Sequence, residues 1–326
     1  PSLLPVGALS AFARAIGIVQ GQGSPREWTA EANPESFTRD VAREWTDAGV
    51  NRVSLGAQTF SAAALRWMGR LHAAEDVAEA LDRARSAGIH NLSVDLILGL
   101  PDSVERSFRS DLERMLALDV PHISVYGLTV EPNTPLARQI REGRTDPPSD
   151  GRYRQEFLLG AERLASEGYV QYEISNFARP GFESRHNQAY WSRRDYLGLG
   201  NGAHSFVGGV RWWNDRAWGR YRDAVREGRS AVSGWERPSP AQVRLEELWL
   251  GLRTDRGLDV LSLAGRPAEL AGEWISRGLA RSRNGRVRLT PRGWLLTDEL
   301  AAELDGALEK GPRPPAVGGT LRPGNR

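Results

Sequence analysis

The chain has 326 residues, with 43 Lys and Arg against 41 Asp and Glu, a formal net charge of +2, and no cysteine. That length accommodates one large domain with an appendage, or two domains. The missing thiols exclude, within these residues, a disulfide framework, a thiol nucleophile, a zinc ribbon and a cysteine-ligated iron–sulfur cluster. Basic and acidic residues are interspersed and Lys310 is the single lysine, which argues against a phosphate-reading surface. No apolar run approaches the ~20 residues of a membrane span, and the composition reads as a soluble, cytoplasmic protein.

Residues 3–16 read as a helix, 28–32 as a strand, and 34–48 as a helix whose apolar Phe37, Val41 and Trp45 recur at i, i+4 and i+8. A strand follows over 52–57, a short helix over 62–68, and a helix over 75–87 that Gly88 ends. Then come a strand over 91–98 that breaks at Gly99-Leu100-Pro101, a helix over 103–118 and a strand over 122–129. Short β-branched runs alternating with amphipathic helices predict successive βα units and a parallel sheet. Polar residues stand at the exits of all four strands: Glu31, Gln58, Asp95 and Thr129. In parallel βα architectures the carboxyl ends of the strands share one face, so these four are expected to converge. Any one of them could equally cap the next helix.

Farther along, 151–167 is helical and 170–174 a strand, followed by a stretch dense in glycine and aromatics over 176–221. Helices over 240–252 and 267–277, a hairpin over 279–289 around Asn284-Gly285 and a helix over 292–308 resemble a winged-helix module. Its Arg281, Arg283, Arg286 and Arg288 could grip phosphate, which sets out a nucleic-acid binder as the alternative of another class. From Gly311 the tail holds four prolines and four glycines in sixteen residues, too little apolar material for a core. Gly198, Gly200 and Gly202 lack the spacing of a dinucleotide fingerprint and instead predict a tight turn beside Ala203-His204. His72, His90 and His122 receive no role.

Four segments stand in one order: Glu31-Ala32-Asn33-Pro34, 54–60 (SLGAQTF), Gly69-Arg70-Leu71-His72 and 94–101 (VDLILGLP). Together they resemble the radical S-adenosylmethionine family of oxygen-independent coproporphyrinogen III oxidases and their heme-chaperone relatives, over residues 1–297. Downstream, 172–178 (YEISNFA), 186–191 (HNQAYW) and 198–205 (GLGNGAHS) match the heme-chaperone branch. The decarboxylation of coproporphyrinogen III to protoporphyrinogen IX is the alternative.

The resemblance implies an α/β fold: a partial (β/α) barrel over 1–145, lacking its first two strands. It further implies an α+β heme- or porphyrin-associated region over 146–235, a winged-helix-like domain over 236–308 and a disordered tail over 309–326. It implies S-adenosylmethionine at Glu31, Gln58, Arg70, Asp95 and Thr129, with Arg70 on the cofactor carboxylate and the acids on ribose hydroxyls or the amino group. Heme is expected at His186, Asn187, Tyr190, Trp191 and His204, where a histidine or the Tyr190 phenolate could supply the axial donor. Family members hold a [4Fe–4S] cluster on three cysteines upstream of a Gly-Gly-Thr-Pro turn. Pro1 resembles that proline, so the expectation is a fragment without radical activity. Expected partners are heme or porphyrin and heme-accepting proteins, with no nucleic acid, no transmembrane segment and room for peripheral membrane association.

Overall fold

Strands of period two present one face to covering helices and the other inward, and the first half of the chain is built on that alternation. The computed structural model describes residues 1–17, 27–261 and 263–310. Helix α1 (Ala8–Ala15) leads into β1 (Thr29–Ala32), α2 (Arg39–Ala48), β2 (Arg52–Gln58), α3 (Ala62–Trp67), α4 (Ala74–Ser86), β3 (Asn91–Leu98), α5 (Phe108–Ala117) and β4 (His122–Gly127). The four strands pair in chain order, all parallel. Helices α6 (Pro135–Arg141) and α7 (Asp150–Ser166) then lead to a hairpin of β5 (Val170–Glu173) and β6 (Asn176–Ala178). That hairpin adds antiparallel to β4 and completes a six-stranded sheet in the order β1-β2-β3-β4-β6-β5. The result is an α/β fold with a mostly parallel central sheet.

One face of that sheet carries Val53, Leu55, Leu92, Val94, Leu96, Ile123 and Val125, all buried. The same core takes in Val41 and Trp45 of α2, Val77 and Leu81 of α4, and Leu112 and Met115 of α5. Phe37 and Trp45 pack with ring centroids 5.1 Å apart, and both are essentially inaccessible. Register places Glu31 beside Ser54, Ser54 beside Ser93, and Asp95 beside Ser124 on the opposite face. The inward face is therefore polar, which a closed apolar core would not tolerate without partners.

The helix expected over 103–118 starts only at Phe108, where the Ser107 hydroxyl accepts from Ser110 N. The preceding loop is held instead by Arg106, which donates to the Ile97 carbonyl at 2.5 Å and pairs with the Glu156 carboxylate. Glu156 also accepts from Gly99 N at 2.7 Å and from Arg152 Nε at 2.9 Å. This buried ionic knot ties the loop after β3 to α7, and its partners satisfy charges that would otherwise be costly to bury.

Residues 176–221, expected only to be rich in glycine and aromatics, contain β6, α8 (Arg185–Trp191), β7 (His204–Val207), β8 (Val210–Asn214) and part of α9 (Trp218–Arg226). With β9 (Val232–Glu236) the later strands form a three-stranded sheet, β7-β8-β9. Elements this short carry too few residues for periodicity to declare them.

The chain divides into two compact units, one of Pro1–Gly208 with Trp212–Gly234, the other of Gly209–Arg211 with Trp235 onward. The second contains α10 (Pro240–Leu252), α11 (Arg266–Ser276), the hairpin β10 (Ala280–Arg283) and β11 (Arg286–Leu289), α12 (Pro291–Trp294) and α13 (Thr297–Lys310). Asn284 and Gly285 both have positive φ, 53° and 72°, as a two-residue hairpin loop of this twist demands. Trp274, Leu270, Leu300 and Leu304 are among its buried side chains. The helix expected over 292–308 is interrupted after Trp294, and α13 continues through Lys310; the expected disordered tail lies, from residue 311, outside the described residues.

Candidate functional site

The carboxyl ends of β1 and β2 bring two of the expected cofactor residues, Gln58 and Arg70, to one edge. Gln58 closes β2 in a left-handed conformation, φ 65°, which side chains other than glycine adopt only when the surroundings impose it. Asp111 on α5 holds the two residues that follow, accepting from the Thr59 hydroxyl at 2.7 Å and from Phe60 N at 2.8 Å. The Gln58 carboxamide folds back over Gly56: a Cβ at that glycine would lie 2.6 Å from Gln58 Nε2 and 3.9 Å from the Ala32 carbonyl. Arg70 reaches the same edge and donates to Asn33 Oδ1 at 3.4 Å. Its loop is anchored by His72, whose Nε2 lies 3.1 Å from the Ala57 carbonyl and whose Nδ1 faces the Glu35 carboxylate at 3.4 Å. His72 thus has a positional role that a lone histidine in sequence does not announce.

Asp95 lies on the inward face of β3. Its carboxylate accepts from the Ser54 hydroxyl at 2.9 Å and the Ser93 hydroxyl at 3.5 Å. Burial pushes its pKa up to about 6, against hydrogen bonds from Ser124 and Ser54; Glu31 adds to the rise and Arg52 opposes it. Glu31 is exposed on the edge strand, and Thr129 is exposed beyond β4, which ends two residues before it. The structure therefore gathers Gln58, Arg70 and Asn33 at one strand end, sets Asp95 within electrostatic reach of Glu31, and leaves Thr129 outside the strand expected to carry it.

The polar face continues past Asp95. Ser93 Oγ lies 2.7 Å from His122 Nδ1, His122 Nε2 lies 2.8 Å from the Tyr172 hydroxyl, and that hydroxyl accepts from Ser184 N at 3.3 Å. Burial drives the His122 pKa far below its ordinary value, with Arg52 adding to the effect, so this imidazole is neutral. The chain of contacts ends at Ser184, the N-cap of α8, whose hydroxyl accepts from Asn187 N at 3.2 Å.

Helix α8 carries four of the five expected heme residues. His186 and Tyr190, one turn apart, meet edge-on with centroids 4.8 Å apart, and Tyr190 meets Tyr196 edge-on at 4.6 Å. Tyr196 in turn lies 6.3 Å from Phe206 and is bridged to it through the backbone. His186 is exposed, Tyr190 is 41% exposed, and Trp191 closes the helix half-buried. His204 on β7 is exposed and stacks on Trp213 at 5.8 Å. The glycine-rich segment between them is a turn of the expected kind. A Cβ on Gly198 would fall 2.1 Å from the His204 carbonyl oxygen, while Gly200 and Gly202 hold φ of 106° and 68°. His186, Tyr190 and His204 are exposed, Trp191, Tyr196 and Trp213 are half-buried and Phe206 is buried, so the row runs from an accessible surface into the core. Tyr196 and Phe206, which complete the row, could be found only once the turn was known.

The donor set fits S-adenosylmethionine: two carboxylates, a carboxamide and a guanidinium suit a ribose diol and an amino-acid head group. It does not fit a [4Fe–4S] cluster, because the 326 residues contain no cysteine to provide thiolates. The phosphate-gripping alternative loses two of its four arginines. Arg286 donates to the Arg256 and Gly257 carbonyls, each at 2.8 Å, and Arg288 faces Asp255 at 3.8 Å. Among the described residues, no helix is long and apolar enough to cross a membrane.

Residues 3–115 match the radical SAM superfamily. The chain is 34% identical over 290 residues to the protein named heme chaperone HemW of Bacillus subtilis (strain 168), covering 86% of this chain and 76% of that one. It is 33% identical over 309 residues to the heme chaperone HemW of Lactococcus lactis subsp. lactis (strain IL1403), covering 92% and 81%. Among solved structures, coproporphyrinogen III oxidase (HemN) from Escherichia coli, a radical SAM enzyme, superposes with a TM-score of 0.75 at 22% identity, over 94% of this chain and 75% of that one, a likeness of fold. With a third of its residues identical to these proteins along most of its length, the chain belongs to the heme chaperone HemW family of radical SAM proteins.

Proposed function

We propose that this chain binds heme and S-adenosylmethionine and acts as a heme chaperone in the cytoplasm, passing heme to acceptor proteins. The observation that carries the heme half is the accessible ring row on α8, where an exposed histidine stands one turn from Tyr190. A porphyrin needs an axial nitrogen or oxygen donor and flat apolar contact, and His186 with Tyr190 and Tyr196 offers both without unfolding a core. Delivery requires a site from which heme can leave, and half-exposed rings suit release better than an enclosed cavity. For the cofactor half, Asp95 and Glu31 would accept from ribose or amino groups, Gln58 would donate and accept, and Arg70 would take the carboxylate. When bound, S-adenosylmethionine supplies a sulfonium and, beside a reduced cluster, radical chemistry; these residues hold and orient it.

The decarboxylase reading rests on likeness of fold to the E. coli oxidase and would need cluster thiolates that these residues do not contain. Hemin titration of the full chain tests the proposal, followed by the Soret band, with His186→Ala and His204→Ala measured beside it. A saturable shift that His186→Ala weakens is the expected result. An identical spectrum and affinity in both variants would remove the site.

A further inference from the structure

Helix α8 has seven residues, too few for a helix to hold its own direction in water. Its orientation, and with it the direction in which His186 points, must come from contacts at its ends. The N-terminal end is gripped by a residue 159 positions away. Glu27, just ahead of β1, accepts from His186 N through Oε1 and from Arg185 N through Oε2, each at 3.0 Å, and lies 3.5 Å from the Ser184 hydroxyl. One carboxylate thus satisfies two of the backbone N–H groups that a first turn leaves unpaired. It also places negative charge at the positive end of the helix dipole. A second grip comes from Tyr172, whose hydroxyl accepts from Ser184 N at 3.3 Å while bound to His122.

We propose that Glu27 is a positioning residue for His186, fixing α8 on the segment that leads into β1, the strand that carries Glu31. The consequence for heme rests on the heme reading above, whereas the clamp itself rests only on these contacts. Two arms of one experiment separate them, using the full chain with Glu27→Ala, Glu27→Gln and His186→Ala. In the first arm, amide hydrogen exchange is followed at 184–191 and at β3. Glu27→Ala is expected to raise exchange of 184–191 by about tenfold, the loss of charged hydrogen bonds to two amides, and to leave β3 unchanged. Glu27→Gln, which keeps one carbonyl acceptor, is expected to fall between. In the second arm, Glu27→Ala is expected to weaken hemin by about tenfold and to alter the axial-ligand pattern in resonance Raman spectra, which a merely looser fold would not change selectively.

Unchanged exchange at 184–191 in Glu27→Ala overturns the proposal, as does a rise spread equally over β3. Hemin binding that ignores Glu27→Ala but responds to His186→Ala also overturns it. Binding that ignores His186→Ala removes His186 from the heme reading alone, and the exchange arm still decides the clamp.

Discussion

Replacing Asp95 by Asn separates what this carboxylate costs the fold from the cofactor contact proposed for it. Its pKa rises from 3.8 to about 6 in the folded chain, chiefly through burial. A carboxyl group with a raised folded pKa favours folding when protonated. Its contribution is present below pH ~4 and is lost as pH climbs through ~6. Removing the charge at pH 8 should therefore stabilise the first compact unit by about 3 kcal/mol, from roughly two pKa units at 1.36 kcal/mol each, and by less than about 1 kcal/mol at pH 4. The Asn carbonyl can still accept from Ser54, which holds the carboxylate at 2.9 Å, so little of that gain is spent on an orphaned hydroxyl. Cofactor binding should move the other way. An anionic acceptor for ribose or amino donors is lost, and S-adenosylmethionine should bind about ten- to a hundredfold more weakly by calorimetry. With two compact units a single unfolding free energy is ill defined, so stability is best read from the slowest-exchanging amides of β3. If Asp95→Asn lowered their protection at pH 8, burial would not be what dominates this carboxyl, and the reasoning would fail.

Gly56→Ala should push the Gln58 carboxamide from its place, since the new Cβ would meet Nε2 at 2.6 Å. A flexible tip can move, so the melting temperature should shift by no more than about 3 °C while S-adenosylmethionine affinity falls several-fold; equal affinity would take Gln58 out of the site. Tyr172→Phe removes the hydroxyl shared by His122 Nε2 and Ser184 N and should cost about 1–3 kcal/mol in β3 protection. It should also loosen 184–191, and an unchanged exchange map would count against the buried chain of contacts. Trp45→Ala, at a ring 2% exposed and packed on Phe37, should cost about 3–5 kcal/mol, read by thermal melting; a loss under about 1 kcal/mol would mean that α2 is not a core helix.

How much of this was legible depended on the length of the signal. The parallel strands declared themselves because Arg52–Gln58 and Asn91–Leu98 are long, bounded runs whose helices carry clear apolar faces. Motif order then marked Gln58, Arg70 and Asp95 as residues of one site. Asn33 and His72 lay inside the same motifs, yet their parts, bonding Arg70 and pinning its loop, depend on where loops turn. No periodicity encodes that. Thr129 illustrates the converse: a β-branched residue extends a strand on paper, but β4 stops at Gly127. Tyr153 lies so close there that a Cβ on Gly127 would be 2.4 Å from its ring. Glu27 was invisible for a plainer reason, since its partners Arg185 and His186 are some 160 residues away and nothing local distinguishes it from a surface acid.

The inward face also sets a pH behaviour that neither of its titrating groups would show alone. Asp95 contributes stability that disappears as pH rises from about 4 to about 6. His122 has the opposite sign. Its folded pKa is held far below 6.5 by burial, so the unfolded chain takes up a proton that the folded chain refuses, and stability falls as pH drops below ~6.5. The two slopes oppose each other between about pH 4 and 6.5, and since Ser93 touches both groups, at 3.5 Å and 2.7 Å, they act on the same strand. The wild-type chain should accordingly show β3 protection nearly flat across that window. Asp95→Asn should uncover the histidine and turn the profile into a rise toward neutral pH, and His122→Gln should uncover the carboxyl and give a fall. A wild-type profile as steep as either variant's would mean that only one of these groups titrates with the fold, and that the polar face is wetter than its burial implies.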